Sequence, residues 1–181
     1  MKTIKITGGE YRGRYIKCPP GIIRPAMSRM REAIFSSIMP IYGMSFLDLF
    51  SGSAIMGLEA LSRGAEYVVC VEKDRKKRRV IEENISKIDN RAVLKMMPVE
   101  SYIESAVENF DIIYVDPPFP YKWKNDIIKK IANSNLISDD SLVIIHHPTY
   151  EELIRETGAL KIEKEKHFGQ STVTFYRYMI D

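Results

Sequence analysis

The stretch Phe46-Leu47-Asp48-Leu49-Phe50-Ser51-Gly52-Ser53-Ala54-Ile55-Met56-Gly57 decides the fold. A short apolar run over 46–50 reads as a strand. A Gly/Ser turn follows, then a helical pattern over 55–63, with Gly64 where a helix C-terminal glycine belongs. A buried strand feeding a helix through a tight turn is the unit of a parallel sheet covered on both faces. The pattern repeats outward from this unit. Strands are expected at 67–71, 92–96, 111–115 and 142–146, and helices at 74–87, 100–108, 124–133 and 150–157. Two closing strands, 160–166 and 172–179, have no helix between them and read as an antiparallel hairpin. The expectation is an α/β body, residues 44–181, with a seven-stranded, mostly parallel, Rossmann-like sheet.

Residues 1–43 form a distinct N-terminal extension. Two short strands, 3–7 and 13–17, flank Gly8-Gly9. Prolines 19, 20 and 25 stiffen a connection, and Ser28 is expected to cap a helix carrying Met30, Ile34, Phe35 and Ile38. Residues 1–31 hold eight Lys/Arg against Glu10 alone, a local charge of +7 inside a chain whose net charge is +3; the remainder carries −4. A basic arm on an acidic body points to an anionic partner, nucleic acid foremost. At 181 residues, the chain fits one domain with no separate DNA-reading module. No apolar run is long enough to span a bilayer, the N-terminus lacks a signal-peptide core, and two cysteines make neither a disulfide framework nor a zinc site. A cytoplasmic monomer without metal is the expectation.

Ligands of such sheets bind outside the carboxyl ends of the strands. Gly52 and Gly57 bracket the first strand-to-helix turn, and Glu72 closes the next strand, placed to accept from ribose hydroxyls. Asp48 beside the turn would repel a pyrophosphate but suits a sulfonium and an ammonium. The charge sign therefore favours S-adenosylmethionine over NAD. A second motif, Asp116-Pro117-Pro118-Phe119, follows a β-branched strand. The Asp116 carboxylate and the Pro117 carbonyl offer two fixed acceptors for the hydrogens of a base amino group, and Phe119 offers a stacking face. Such acceptors support the positive charge that develops as the nitrogen attacks a methyl group. Carbon methylation wants a cysteine nucleophile, and neither Cys18 nor Cys70 is placed for it. His146-His147 lacks a third metal ligand. Trp123 either covers the base pocket or packs the start of its helix. Six bases within 73–79 read mainly as a solvated helix face.

These residues resemble the RsmD-type small-subunit rRNA (guanine-N2) methyltransferases. The resemblance rests on Gly8-Gly9-Glu10-Tyr11-Arg12-Gly13-Arg14, on Arg24-Pro25-Ala26-Met27-Ser28-Arg29-Met30-Arg31-Glu32, on residues 47–65, on Val71-Glu72-Lys73-Asp74, on residues 115–119 and on Phe168-Gly169-Gln170-Ser171. It implies a class I methyltransferase sheet, S-adenosyl-L-methionine as donor, S-adenosyl-L-homocysteine as product, and a guanine amine in 16S rRNA as acceptor. It implies cofactor contacts from Asp48, Phe50, Ser51, Gly52, Ser53, Gly57, Glu72 and Lys73. Asp116, Pro117, Pro118 and Phe119 would hold the base, and Arg12, Arg14, Arg24, Arg29 and Arg31 the RNA, naked or within the small subunit. The chain departs from the family pattern at Ala54, where glycine is usual, at Ala26 and at Pro98. Two other readings stay open: a DNA adenine-N6 methyltransferase of the same fold, and a non-catalytic RNA-binding assembly factor.

Overall fold

A computed structural model describes residues 1–21 and 27–179; the expectations on Arg24 and Ala26 lie outside the described residues. The chain forms β1 (Thr3–Lys5), β2 (Tyr15–Lys17), α1 (Ser28–Ile38), β3 (Ser45–Leu49), α2 (Ile55–Ser62) and β4 (Tyr67–Glu72). A 3-10 turn (Arg75–Lys77) leads into α3 (Arg78–Ile88), then β5 (Ala92–Met96), α4 (Val99–Ser105), β6 (Ile112–Val115) and α5 (Lys124–Ala132). β7 (Leu142–Pro148), β8 (Glu156–Thr157), β9 (Leu160–Phe168) and β10 (Ser171–Tyr178) complete it. β1 and β2 pair as a separate hairpin, and the other strands form one sheet ordered β5-β4-β3-β6-β7-β10-β9-β8. β3 to β7 run parallel, while β10 pairs antiparallel with both β7 and β9. The seven expected strands are all in the sheet; the two-residue β8 adds an eighth at its edge.

The strand order reverses between β3 and β6, which opens a crevice at their carboxyl ends. Alternate side chains feed two cores. Phe46, Val68, Ile112, Tyr114 and Ile144 join α1, α2 and α3, whereas Leu47, Leu49, Val71, Ile113 and Val143 join α4 and α5. The N-terminal extension is packed into the first of these: Ile4, Ile6, Ile16 and Phe35 share it with Phe46 and Leu58. This explains why every residue of α2 is buried. The helix lies between the sheet and the extension.

Buried polar side chains hold the extension in place, Glu59 and Asn84 among them. Glu59 of α2, fully buried, accepts from the Thr7 amide (3.0 Å), the Thr7 hydroxyl (2.5 Å) and the Gly8 amide (3.0 Å), and pairs with Arg63 (3.2 Å) and Arg31 (3.6 Å). Asn84 of α3 donates to Lys17 O (2.8 Å) and Ser53 O (3.1 Å) and accepts from Lys17 N (2.8 Å), so one side chain touches both the arm and the Gly/Ser turn.

Three local expectations are corrected. The helix over 150–157 is absent. Asn125 Oδ1 accepts from Ile154 N (2.8 Å), Asn125 Nδ2 donates to Glu152 O (3.3 Å) and the Tyr176 hydroxyl donates to Ile154 O (2.6 Å). Backbone groups satisfied by neighbouring side chains need no helix, and one this short is not self-sustaining. Met27, not Ser28, is the N-cap of α1, with no side-chain capping bond. The helix over 74–87 begins as a 3-10 turn because Asp74 accepts from Lys76 N at 3.0 Å.

Candidate active site

A cleft of about 800 Å³ opens at the carboxyl ends of β3, β4 and β6. The Gly/Ser turn forms one wall. Phe50, Gly52 and Ala54 all have positive φ, at 61°, 60° and 68°. The turn thus alternates left-handed residues with ordinary ones, and the alanine departure falls on a left-handed position. Ser51 N donates to Val71 O (3.0 Å), tying the turn to β4. Glu72 closes the turn from the other side: Oε2 accepts from Gly52 N (3.0 Å) and Oε1 from Asp74 N (2.9 Å). Each carboxylate oxygen keeps a second lone pair for a ribose hydroxyl. Asp48 lies beneath the turn, and its Oδ2 accepts from Gly57 N at 3.2 Å. Burial pushes its carboxyl well above the usual range, and the nearby Asp116 and Glu72 push the same way.

The opposite wall is the Asp116 tetrad. Asp116 N donates to Leu49 O (3.2 Å), which fixes the start of the loop beside β3. His146 Nδ1 lies 3.0 Å from Asp116 Oδ1, and the Tyr114 hydroxyl donates to Oδ2 at 3.2 Å. The Phe119 ring sits edge-on to His146, with centroids 5.5 Å apart. Tyr121 packs edge-on to Phe50 at 5.2 Å and its hydroxyl donates to Glu100, so the two walls touch. Burial and Asp116 raise the Tyr114 hydroxyl well above its ordinary value, which keeps it a donor. Two side-chain polar atoms here are buried without a hydrogen-bond partner among the described residues: Ser51 Oγ and His146 Nε2.

A family model described as Conserved hypothetical protein 95 matches residues 4–177. The Ribosomal RNA small subunit methyltransferase D of Escherichia coli K12 is 30% identical over 179 residues, 96% of this chain and 89% of that protein. The chain belongs to the RsmD family. Two solved structures share the fold of this RsmD-family chain. yhhF, a candidate methyltransferase from Escherichia coli, matches with a TM-score of 0.87 at 27% identity over 99% of this chain and all of its own. SMU.776, a candidate methyltransferase complexed with SAH, matches with a TM-score of 0.69 at 16% identity over 86% of this chain and 50% of its own.

In this RsmD-family chain, Asp48, Phe50, Ser51, Gly52, Ser53, Glu72 and Lys73 line the same cleft as Asp116, Pro117, Pro118 and Phe119. Gly57 does not. A Cβ there would meet Val68 Cγ1 at 2.6 Å and Cys70 Sγ at 3.0 Å, so this glycine permits close packing of α2 on β4. Arg12, Arg14 and Arg29 are exposed. Arg31 is a correction: it is 1% exposed, its Nη2 donates to Lys5 O (2.6 Å), and its charge faces Glu59 inside the core. Tyr114 and His146 were not among the residues expected at the site. His146 lies one residue beyond Ile145, which pairs with Val115 just before Asp116, a register that the sequence alone does not state. The residues suit a cationic nucleoside donor. Ser51 Oγ has no partner among the described residues, Asp48 and Glu72 supply acidic groups, and the turn leaves open space at Gly52. Among the described residues no group of three His, Cys, Asp or Glu is placed to hold a metal, and no helix is long and apolar enough to cross a membrane.

Proposed function

We propose that the protein transfers a methyl group from S-adenosyl-L-methionine to the exocyclic N2 amine of a guanine in 16S rRNA, releasing S-adenosyl-L-homocysteine. The observation that carries this reading is the Asp116 carboxylate, held by His146 and Tyr114, in the same cleft as the acidic Gly/Ser turn. The name of the Escherichia coli relative, a small-subunit rRNA methyltransferase, supports rRNA as the substrate, and the SAH bound to SMU.776 supports the cofactor.

When bound, the cofactor supplies an electrophilic methyl group. Asp48, Phe50, Ser51, Gly52, Ser53, Glu72 and Lys73 would hold it. Its positive charge offsets the crowding of Asp48 against Glu72 and Asp116. Asp116 and the Pro117 carbonyl accept the two amine hydrogens and support the charge that develops on nitrogen, which is a larger effect in a partly dry cleft than in water. Phe119 covers the base. After transfer the ammonium is acidic, and its proton leaves by Asp116 to solvent. Cys18 and Cys70 are both buried away from the cleft, and burial pushes the Cys70 thiol well up, so carbon methylation has no nucleophile. The exposed Arg12, Arg14 and Arg29 belong to the RNA side, in the N-terminal extension of residues 1–43, and residues 44–181 carry the chemistry.

Labelled S-adenosylmethionine offered with small-subunit rRNA and with plasmid DNA tests this. Label is expected in the RNA. Asp116→Ala should lower the rate about 100-fold, with binding of S-adenosylhomocysteine by calorimetry retained. Label in DNA adenine, or an Asp116→Ala enzyme at the wild-type rate, would overturn it.

A further inference from the structure

Lys124 opens helix α5 and is 2% exposed on its side chain. This is the wrong end of a helix for a cation, since the N-terminus carries the positive pole. Lysine is also among the residues least often buried. Helix stability therefore does not account for it. Its surroundings do. The ammonium has three donors, and it gives them to Phe119 O (3.0 Å), Tyr121 O (2.6 Å) and the Glu151 carboxylate (2.9 Å). Two acceptors come from the loop that follows Asp116, and the third from the segment after β7. The same loop is turned on itself by Tyr121 N donating to Pro118 O at 2.8 Å.

We infer that Lys124 is a positioning residue, clasping the 117–121 loop to Glu151 so that Phe119 is held over the target base. The inference rests on the reading of Phe119 given above. A packing role alone would let an apolar side chain of similar length keep kcat, with the loss of one partner of a buried pair costing stability instead. A positioning role would not, since a displacement of about 1 Å at a reacting centre costs on the order of 100-fold in rate.

Lys124→Met separates the two. The expected result is a kcat on small-subunit rRNA lower by about 100-fold, an unchanged KM for S-adenosylmethionine, and faster hydrogen exchange at the Tyr121 amide while β3 and β6 amides keep their protection. A wild-type kcat would overturn the inference, as would a loss of protection that spreads through β6 together with weaker cofactor binding. If Lys124→Met does not fold, Glu151→Gln takes its place, because Glu151 is 29% exposed and tolerates the change. It should show a smaller loss of kcat and the same faster exchange at Tyr121; unchanged exchange and kcat would overturn the clasp. Should the wild-type enzyme methylate no RNA, the functional reading fails, while the exchange at Tyr121 still decides whether the clasp exists.

Discussion

Asp48 is 1% exposed and shares the cleft with Glu72 and Asp116, so its carboxyl is destabilised as an anion until a cation arrives. A carboxyl raised in the folded chain binds its proton more tightly there, so stability declines as pH rises from the unfolded value of about 3.9 towards the folded one. Asp48→Asn keeps an acceptor for the Gly57 amide and escapes that loss. Its melting temperature at neutral pH should equal or exceed wild type, while its affinity for S-adenosylmethionine falls and loses its dependence on pH. A clear drop in melting temperature would show that the carboxylate is not destabilised. Glu72 and Asp116 were legible in the sequence because each terminates or follows an apolar strand, and Asp48 because it is an acid inside one, just before the Gly/Ser turn. His146 was not, because its contact with Asp116 depends on how β6 and β7 align, which no local pattern states. Tyr114 precedes Asp116 by two residues, so the period-2 alternation of a strand could have placed the two on one face. Ala54 was legible as an oddity, and its left-handed φ gives the reason that glycine is usual there.

Helix α2 owes its place to Gly57. A methyl group there would press on Val68 and Cys70 of β4, neither of them a flexible side-chain end. Gly57→Ala is expected to destabilise by about 1–3 kcal/mol, read by denaturant unfolding, with a parallel loss of cofactor binding because α2 carries the end of the turn. A change near zero would mean the sheet yields there. The strands and most helices were legible because apolar runs bounded by Gly and Pro are local features. The segment 150–157 was not: its backbone partners, Asn125 and Tyr176, come from distant regions of the chain. The buried state of α2 was equally hidden. Its apolar sequence fits a core helix, but only Glu59 and Ser62 hint that another layer supplies donors.

Across the whole molecule, the charge split separates a basic arm from an acidic body, yet counting charges overstates the arm. Arg31 belongs to the interior, and with Glu59 it fastens the arm to α2. Glu59→Ala leaves the Thr7 and Gly8 amides and a buried guanidinium without their shared acceptor. A loss of about 3–5 kcal/mol is expected in equilibrium unfolding; a loss under about 1 kcal/mol, the value of a surface pair, would show that the arm does not depend on it. The −4 of residues 32–181 includes the three carboxylates that face the cleft; under the proposed function the body's charge would serve a cationic cofactor and the arm's would serve RNA. The most direct measurement maps the transferred methyl group. Unmodified small subunits and free 16S rRNA are incubated with labelled S-adenosylmethionine, and the nucleosides are resolved by mass spectrometry. The account expects the label on N2 of a guanosine in the rRNA. Label on a ring carbon or on adenine, or none despite cofactor binding, would contradict it.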